Sequence, residues 1–326
     1  MTSLYPLFFH PVYKTKIWGD DKLRNLLHKD TGALQKVGES WEISGVQDNI
    51  TVVKNGFLAG NNLQELVEIY MGDLVGDKVY DKFGVEFPLL IKFIDASDVL
   101  SVQVHPDDKT AFERHHAYGK TEMWYILQSD PGAEIIIGFK NDTSREEYLR
   151  HLKNKTLREI LNSEEARAGD VFFIPPGRVH TIGAGILLAE IQQTSDITYR
   201  IYDWDRVDAN GKSRELHTDL ALDVIDFKSY PEYKIPYQDQ LNETTDLVQC
   251  NYFNTQLIHF NKPLKKDYYD LDSFVIYIGV EGETTIEHEN GSSFLKKGES
   301  VLVPAVLKDI TLIPKGEARI LEVYIK

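Results

Sequence analysis

The chain has 326 residues, with 36 Lys and Arg against 51 Asp and Glu, a formal net charge of −15. No massed basic block offsets that charge, which excludes a nucleic acid or an anionic membrane surface as partner, since both are bound by clustered Lys and Arg that displace counterions. The single cysteine, Cys250, excludes an intramolecular disulfide and a cysteine-based zinc cluster and points to a reducing compartment.

The first ten residues, Met1 to His10, lack the basic, then apolar, then small-residue order of a signal peptide. No apolar run approaches the roughly 18 residues of a spanning helix, so a cytoplasmic protein is expected. At about 150 residues per domain the length predicts two domains. Along the chain, short apolar segments bounded by Gly, Pro, Asp and Asn predict strands at Glu42-Ile-Ser44, 88–94, 100–105, 122–127, 134–139, 171–174, 187–192 and 197–202. Helices are fewer and fall between strand groups. Asn62 caps one that carries Leu63, Leu66, Val67 and Tyr70 on one face, and Thr143 with Glu146 forms a capping box before Tyr148, Leu149 and Leu152. A further helical stretch is expected at 157–161, and Thr218 is expected to cap 219–227. Around 229–242 the pattern dissolves into Pro-rich polar sequence, then strands resume at 252–260, 273–280, 283–289, 292–295, 300–303, 310–313 and 318–325. The expectation is an all-β chain of two jelly-roll domains with short helical insertions, a first domain over 1–235 and a smaller one over 236–326.

Chemistry concentrates in three segments. In Leu100-Ser-Val-Gln-Val-His105, strand alternation puts Ser101, Gln103 and His105 on one face and Val102 and Val104 on the other. Taken alone, that pattern also fits a solvent-facing strand. Gly119-Lys-Thr-Glu-Met-Trp124 then places Lys120 and Glu122 on one face at the start of an apolar strand, and Ile174-Pro-Pro-Gly-Arg-Val-His180 presents His180 after a turn. Amide, imidazole and carboxylate groups from three segments suit zinc or another borderline divalent ion. His115 and His116 sit in a charged, helical connection and are expected to face solvent, and His288 and Glu287 offer no comparable ligand set.

Four ordered motifs, His105-Pro-Asp-Asp108, Gly119 to Trp124, Ile174 to His180 and Glu190-Ile-Gln-Gln-Thr-Ser-Asp-Ile-Thr-Tyr-Arg200, resemble the type I mannose-6-phosphate isomerases in their short bacterial form. The resemblance also takes in Ile17-Trp-Gly19 and Gly38-Glu-Ser-Trp-Glu-Ile-Ser44, and reaches the C-terminal β domain. It implies two cupin domains and one Zn2+ per chain on Gln103, His105, Glu122 and His180. It also implies an active-site arginine at Arg200 and interconversion of mannose 6-phosphate and fructose 6-phosphate through a cis-enediol. Lys120 and Glu190 are then the candidates for proton transfer, and Ser101 and Arg206 for the phosphate. Glu190 or Asp196 could instead simply pair with Arg200. Longer members of the family have Asn-His before Lys-Pro-Glu, where this chain has Tyr118-Gly119 before Lys120-Thr121-Glu122, so no proton-transfer role for that His carries over. The expected partner is a small sugar phosphate, with no nucleic acid and no membrane, and the chain is expected to be a monomer or homodimer. Two alternatives stand beside this. One is a cupin dioxygenase with iron on His105, Glu122 and His180, which the amide of Gln103 disfavours. The other is a non-catalytic sugar-phosphate binder, which would not need Lys120, Glu190 and Arg200 together.

Overall fold

The computed structural model describes residues 4–207 and 211–326. Strands dominate and pair antiparallel in four large sheets. The first has six strands in the order Val171–Ile174, Glu122–Ser129, Ile186–Gln193, Leu89–Ala96, Val37–Ser44 and Val12–Asp20. The second has five: Tyr199–Tyr202, Val102–Val104, His180–Ile182, Glu134–Phe139 and Leu161–Glu165. Their facing sides share an apolar cluster that includes Trp124, Ile126 and Phe172 from the first and Ile135, Ile137 and Ile182 from the second. Beyond residue 242 a five-stranded and a four-stranded sheet close in the same way on Phe260, Tyr277, Ile286, Val301 and Leu312. This is an all-β fold of two cupin-like jelly rolls with short helical insertions. No helix of the described residues is long and apolar enough to cross a membrane.

Strand alternation explains the layering. In Ile186–Gln193, Leu188 belongs to the cluster between the first two sheets, while Leu187, Ala189 and Ile191 point the other way. They enter the largest cluster, shared with Leu63, Leu66, Val67 and Leu74 of a helical insertion and with Leu257, Ile276, Ile278, Leu302, Leu321 and Val323 of the C-terminal five-stranded sheet. Both faces of the six-stranded sheet are thus covered, and eight consecutive residues of this strand are buried.

The insertion helix Leu63–Val75 starts as its cap predicts. The Asn62 side chain accepts the Glu65 N–H at 2.9 Å, and the Glu65 carboxylate accepts the Asn62 N–H at 2.9 Å. Asn62→Ala removes half of that reciprocal pair and is expected to cost about 1 kcal/mol, read as a lower midpoint in urea unfolding. Other boundaries differ from expectation. Ser144, not Thr143, caps Arg145–Lys153, accepting the Glu147 N–H at 3.1 Å, because the Thr143 N–H is already held by the Phe227 carbonyl. The stretch at 157 is helical only over Leu157–Ile160, and Leu161 opens an edge strand paired with Glu134–Phe139. The helix at 218 runs only Thr218–Leu222, with His217 in the cap position. Val12–Asp20 is a strand with no apolar alternation to announce it, because one of its faces carries Lys14 and Lys16.

Candidate active site

Register places the candidate ligands. In the five-stranded sheet Arg200 lies opposite Gln103, and Gln103 opposite His180, so the three occupy one row across neighbouring strands. Val102 and Val104 turn to the outer side of that sheet, where Tyr148, Leu157 and Tyr199 bury them. Glu122 starts its strand in the six-stranded sheet opposite Ile174 and Gln192. The turn Pro175-Pro176-Gly177-Arg178 delivers His180. Arg178 N–H donates to the Pro175 carbonyl at 3.2 Å, and Gly177 takes φ +83°, a type II turn whose third position needs glycine. The Gly177 N–H also donates to the His105 carbonyl at 2.9 Å, tying the two histidine segments together.

His105, Glu122 and His180 are all buried, and one ligand atom from each lies within 4.8 Å of the others. His180 Nε2 is 3.3 Å and His105 Nε2 3.6 Å from the two oxygens of Glu122. Each imidazole meets a backbone carbonyl through Nδ1, His105 that of Ile197 and His180 that of Arg178, both at 2.8 Å. Those contacts put the proton on Nδ1 and leave Nε2 as a free lone pair aimed inward, the arrangement metal-binding histidines use. The Gln103 amide lies 3.2 Å from His180 Nε2. Neither oxygen of Glu122 accepts a hydrogen bond, although Lys120 Nζ comes to 3.1 Å. Burial lowers His180 to about 3, and burial, then Lys120, lowers His105 well below the ordinary value. Burial, then Glu190, raises Glu122 to about 7. Neutral imidazoles that aim their Nε2 atoms at a buried carboxylate whose oxygens accept no hydrogen bond are donors of the kind a divalent ion takes, so these residues fit a metal ion.

A cavity of about 370 Å³ opens on this cluster, lined from the six-stranded sheet by Lys14, Lys16, Glu39, Trp41, Lys92 and Glu190. Its opposite wall carries Ser101, Gln103, Asp196, Thr198, Arg200 and Arg214, and Lys120 enters beside the ligands. Glu190 sits between Lys92, 2.7 Å away, and the Trp124 indole N–H at 2.8 Å. Burial pushes its carboxyl up, but Lys92, then Lys120, with the hydrogen bonds from Lys92 and Trp124, outweigh burial and bring it down to about 2. Lys120 Nζ is 3.1 Å from both His105 Nε2 and Glu122 Oε2.

The cavity therefore brings together Ser101, Gln103, Lys120, Glu190 and Arg200, with His105, Glu122 and His180 at its buried end. Arg200 pairs with neither Glu190 nor Asp196; it donates to Ser101 Oγ at 3.3 Å and to the Glu215 carbonyl at 2.9 Å. Arg206 does not line the cavity. Its guanidinium is held by Asp203 Oδ1 at 2.6 Å and the Val99 carbonyl at 2.7 Å, and Arg214, also tied to Asp203, faces the cavity nearby. Sequence reasoning missed Lys14, Lys16, Glu39, Trp41, Lys92 and Arg214. For Lys92 a signal existed, since it is the one cation inside the apolar run 89–94.

Comparison with known proteins agrees with this geometry. Residues 7–125, which contain Gln103, His105 and Glu122, match the model of the phosphomannose isomerase type I catalytic domain. Residues 243–325 match that of the mannose-6-phosphate isomerase cupin domain. Mannose-6-phosphate isomerase ManA of Bacillus subtilis is 38% identical over 313 residues, 94% of this chain and 95% of the relative. A mannose-6-phosphate isomerase of Streptococcus mutans is 37% identical over 305 residues, 93% of each chain. The crystal structure of the mannose 6-phosphate isomerase from Bacillus subtilis superposes with a TM-score of 0.88 at 32% identity, covering 99% of this chain and all of that one.

Proposed function

Because the chain belongs to the type I phosphomannose isomerases, we propose that it interconverts mannose 6-phosphate and fructose 6-phosphate with one zinc ion held by Gln103, His105, Glu122 and His180. The observation that carries this reading is the buried His105, Glu122 and His180 cluster at the end of a polar cavity large enough for a hexose phosphate. When bound, zinc supplies Lewis acidity toward the two sugar oxygens between which the carbonyl moves.

The chain's own residues account for the rest. Aldose to ketose conversion takes a proton from C2, returns one to C1 and shifts another between O2 and O1 by way of the cis-enediol. Lys120 is the proton carrier by position, since its amine borders both the ligand cluster and the cavity. Glu190, held ionised by Lys92 and Lys120, is a poor base. Its role is to fix Lys92 and Trp124 and to keep the field of the site constant. Among the described residues Arg200 has no carboxylate within ion-pair distance, and burial and the charge of Arg214 lower it from its ordinary value against the pull of Asp203. It is therefore short of negative charge, and an enediolate or a phosphate supplies it. Ser101 orients it.

A coupled assay that detects fructose 6-phosphate formed from mannose 6-phosphate tests the reading. Turnover is expected with metal-loaded protein, to fall at least about a hundredfold after chelation, and to return on addition of Zn2+. No product from the loaded protein would overturn the reaction, and full rates in protein shown to be metal-free would overturn the metal's part in it.

A further inference from the structure

The charges lining the cavity leave one residue unexplained by the catalytic assignment. Lys16 is paired with Glu39 at 3.1 Å, Lys92 with Glu190 at 2.7 Å, and Lys120 with Glu122 at 3.1 Å, while Arg214 is bound by Asp203. Among the described residues, two cavity cations have no carboxylate within ion-pair distance: Arg200 and Lys14. They lie on opposite walls, Arg200 on the five-stranded sheet and Lys14 on the edge strand of the six-stranded one. Lys14 is half-buried and held in place. Its ammonium donates to Asn49 Oδ1 and lies 4.9 Å from the centroid of the Trp41 ring, which Lys92 approaches at 5.3 Å. A buried aromatic and a neutral amide position this cation without neutralising it.

We propose that Lys14 is a substrate-binding residue that takes the phosphate end of the sugar phosphate, opposite Arg200, with Asn49 and Trp41 as its positioning residues. The inference rests on the sugar-phosphate reading of the cavity. From the ligand cluster a row of side chains runs Glu190, Lys92, Trp41 across successive strands, and Lys14, opposite Glu39 on the edge strand beyond, reaches over the Trp41 ring, so the Lys14 end of the sheet lies farthest from the Glu122 strand. A hexose 6-phosphate with O1 and O2 at the ligand cluster directs its phosphate away from that cluster, toward the cations that lack a counter-charge. A phosphate dianion there would be met by both charge-assisted donors.

Lys14→Met keeps the stem over Trp41 and removes the charge. Its KM for mannose 6-phosphate is expected to rise about tenfold to a hundredfold while kcat moves less than threefold, and the inhibition constant of inorganic phosphate should rise in parallel. The dependence of KM on salt should flatten, and Lys14→Arg should restore most of the affinity. Asn49→Ala, which frees the ammonium without deleting it, should give a smaller rise in KM and keeps the question open to measurement if Lys14→Met folds poorly. Unchanged KM and unchanged phosphate inhibition in folded Lys14→Met would overturn the proposal with the isomerase reading intact. Should the wild-type protein not isomerise mannose 6-phosphate, calorimetric titration of metal-loaded wild type and Lys14→Met with inorganic phosphate still decides: weaker binding in the variant supports the role, and equal binding overturns it.

Discussion

His180→Ala is expected to lower kcat/KM at least about a thousandfold, equivalent to about 4 kcal/mol of transition-state stabilisation, and to leave the purified protein with well under one metal ion per chain. His180 is fully buried, and its ring is fixed twice, by the contact of Nδ1 with the Arg178 carbonyl and by an edge contact with Trp124 at 5.3 Å between centroids. Nε2 can thus face only Glu122 and Gln103. Because the alanine also leaves a hole in the jelly roll, His180→Leu is the control: it refills most of the volume with no ligating atom and should retain thermal stability far better while losing metal all the same. Elemental analysis and the coupled assay together read the result. A His180→Ala protein that still holds one metal per chain, or works within tenfold of wild type, would remove His180 from the ligand set.

Glu190→Gln is expected to destabilise the fold by about 3 kcal/mol and to lower kcat about a hundredfold. The amide fills the same space but leaves Lys92, itself buried, without its 2.7 Å partner. The cost sits at the low end for a broken buried pair because Glu39 still opposes the lysine charge. The rate falls because an unbalanced Lys92 disturbs the neighbouring charges of Lys120 and Glu122. The pH dependence separates this from a simple packing defect. The Glu190 carboxyl is brought from the ordinary 4.5 down to about 2, so its contribution to stability is present in full above the ordinary value and disappears as pH falls through that interval toward 2. Wild type and Glu190→Gln should therefore differ in unfolding free energy at neutral pH and converge on acidification. A constant difference across that range would mean the charge is not what Glu190 contributes. Adding Lys92→Met to Glu190→Gln should recover part of the lost stability, since the orphaned charge is then gone.

Much of this site is legible in the chain because it sits on regular strands. Period-two alternation separates Ser101, Gln103 and His105 from Val102 and Val104, and the type II turn at Pro175 to Arg178 is written in its residues. Lys14 and Lys16 are not legible in the same way: on a strand whose cavity face is charged, alternation of lysines looks like a solvated edge until the register shows what lies opposite. Arg206 and Arg214 pose a different difficulty. Both bind Asp203, and only their placement in the fold, not the sequence around them, decides which one meets the cavity. The helix start near 143 shifted because the Thr143 N–H, which a capping box would have used, is held by the Phe227 carbonyl, a tertiary hydrogen bond that local sequence does not carry.

The apolar cluster behind the six-stranded sheet has a mechanical consequence. Leu187, Ala189 and Ile191 are gripped by the insertion helices and the C-terminal sheet, while Glu190, between them in the chain, faces the cavity. In a close-packed interior a strand clamped on one side has little freedom to tilt or slide on the other. The C-terminal strands, which contribute no residue to the cavity, thus act as a backing plate. They set how stiffly Glu190 and, through it, Lys92 and Trp124 are held against the substrate, so substitutions far from the metal, at positions such as Leu257 or Leu321, reach the chemistry through the rigidity of a shared wall.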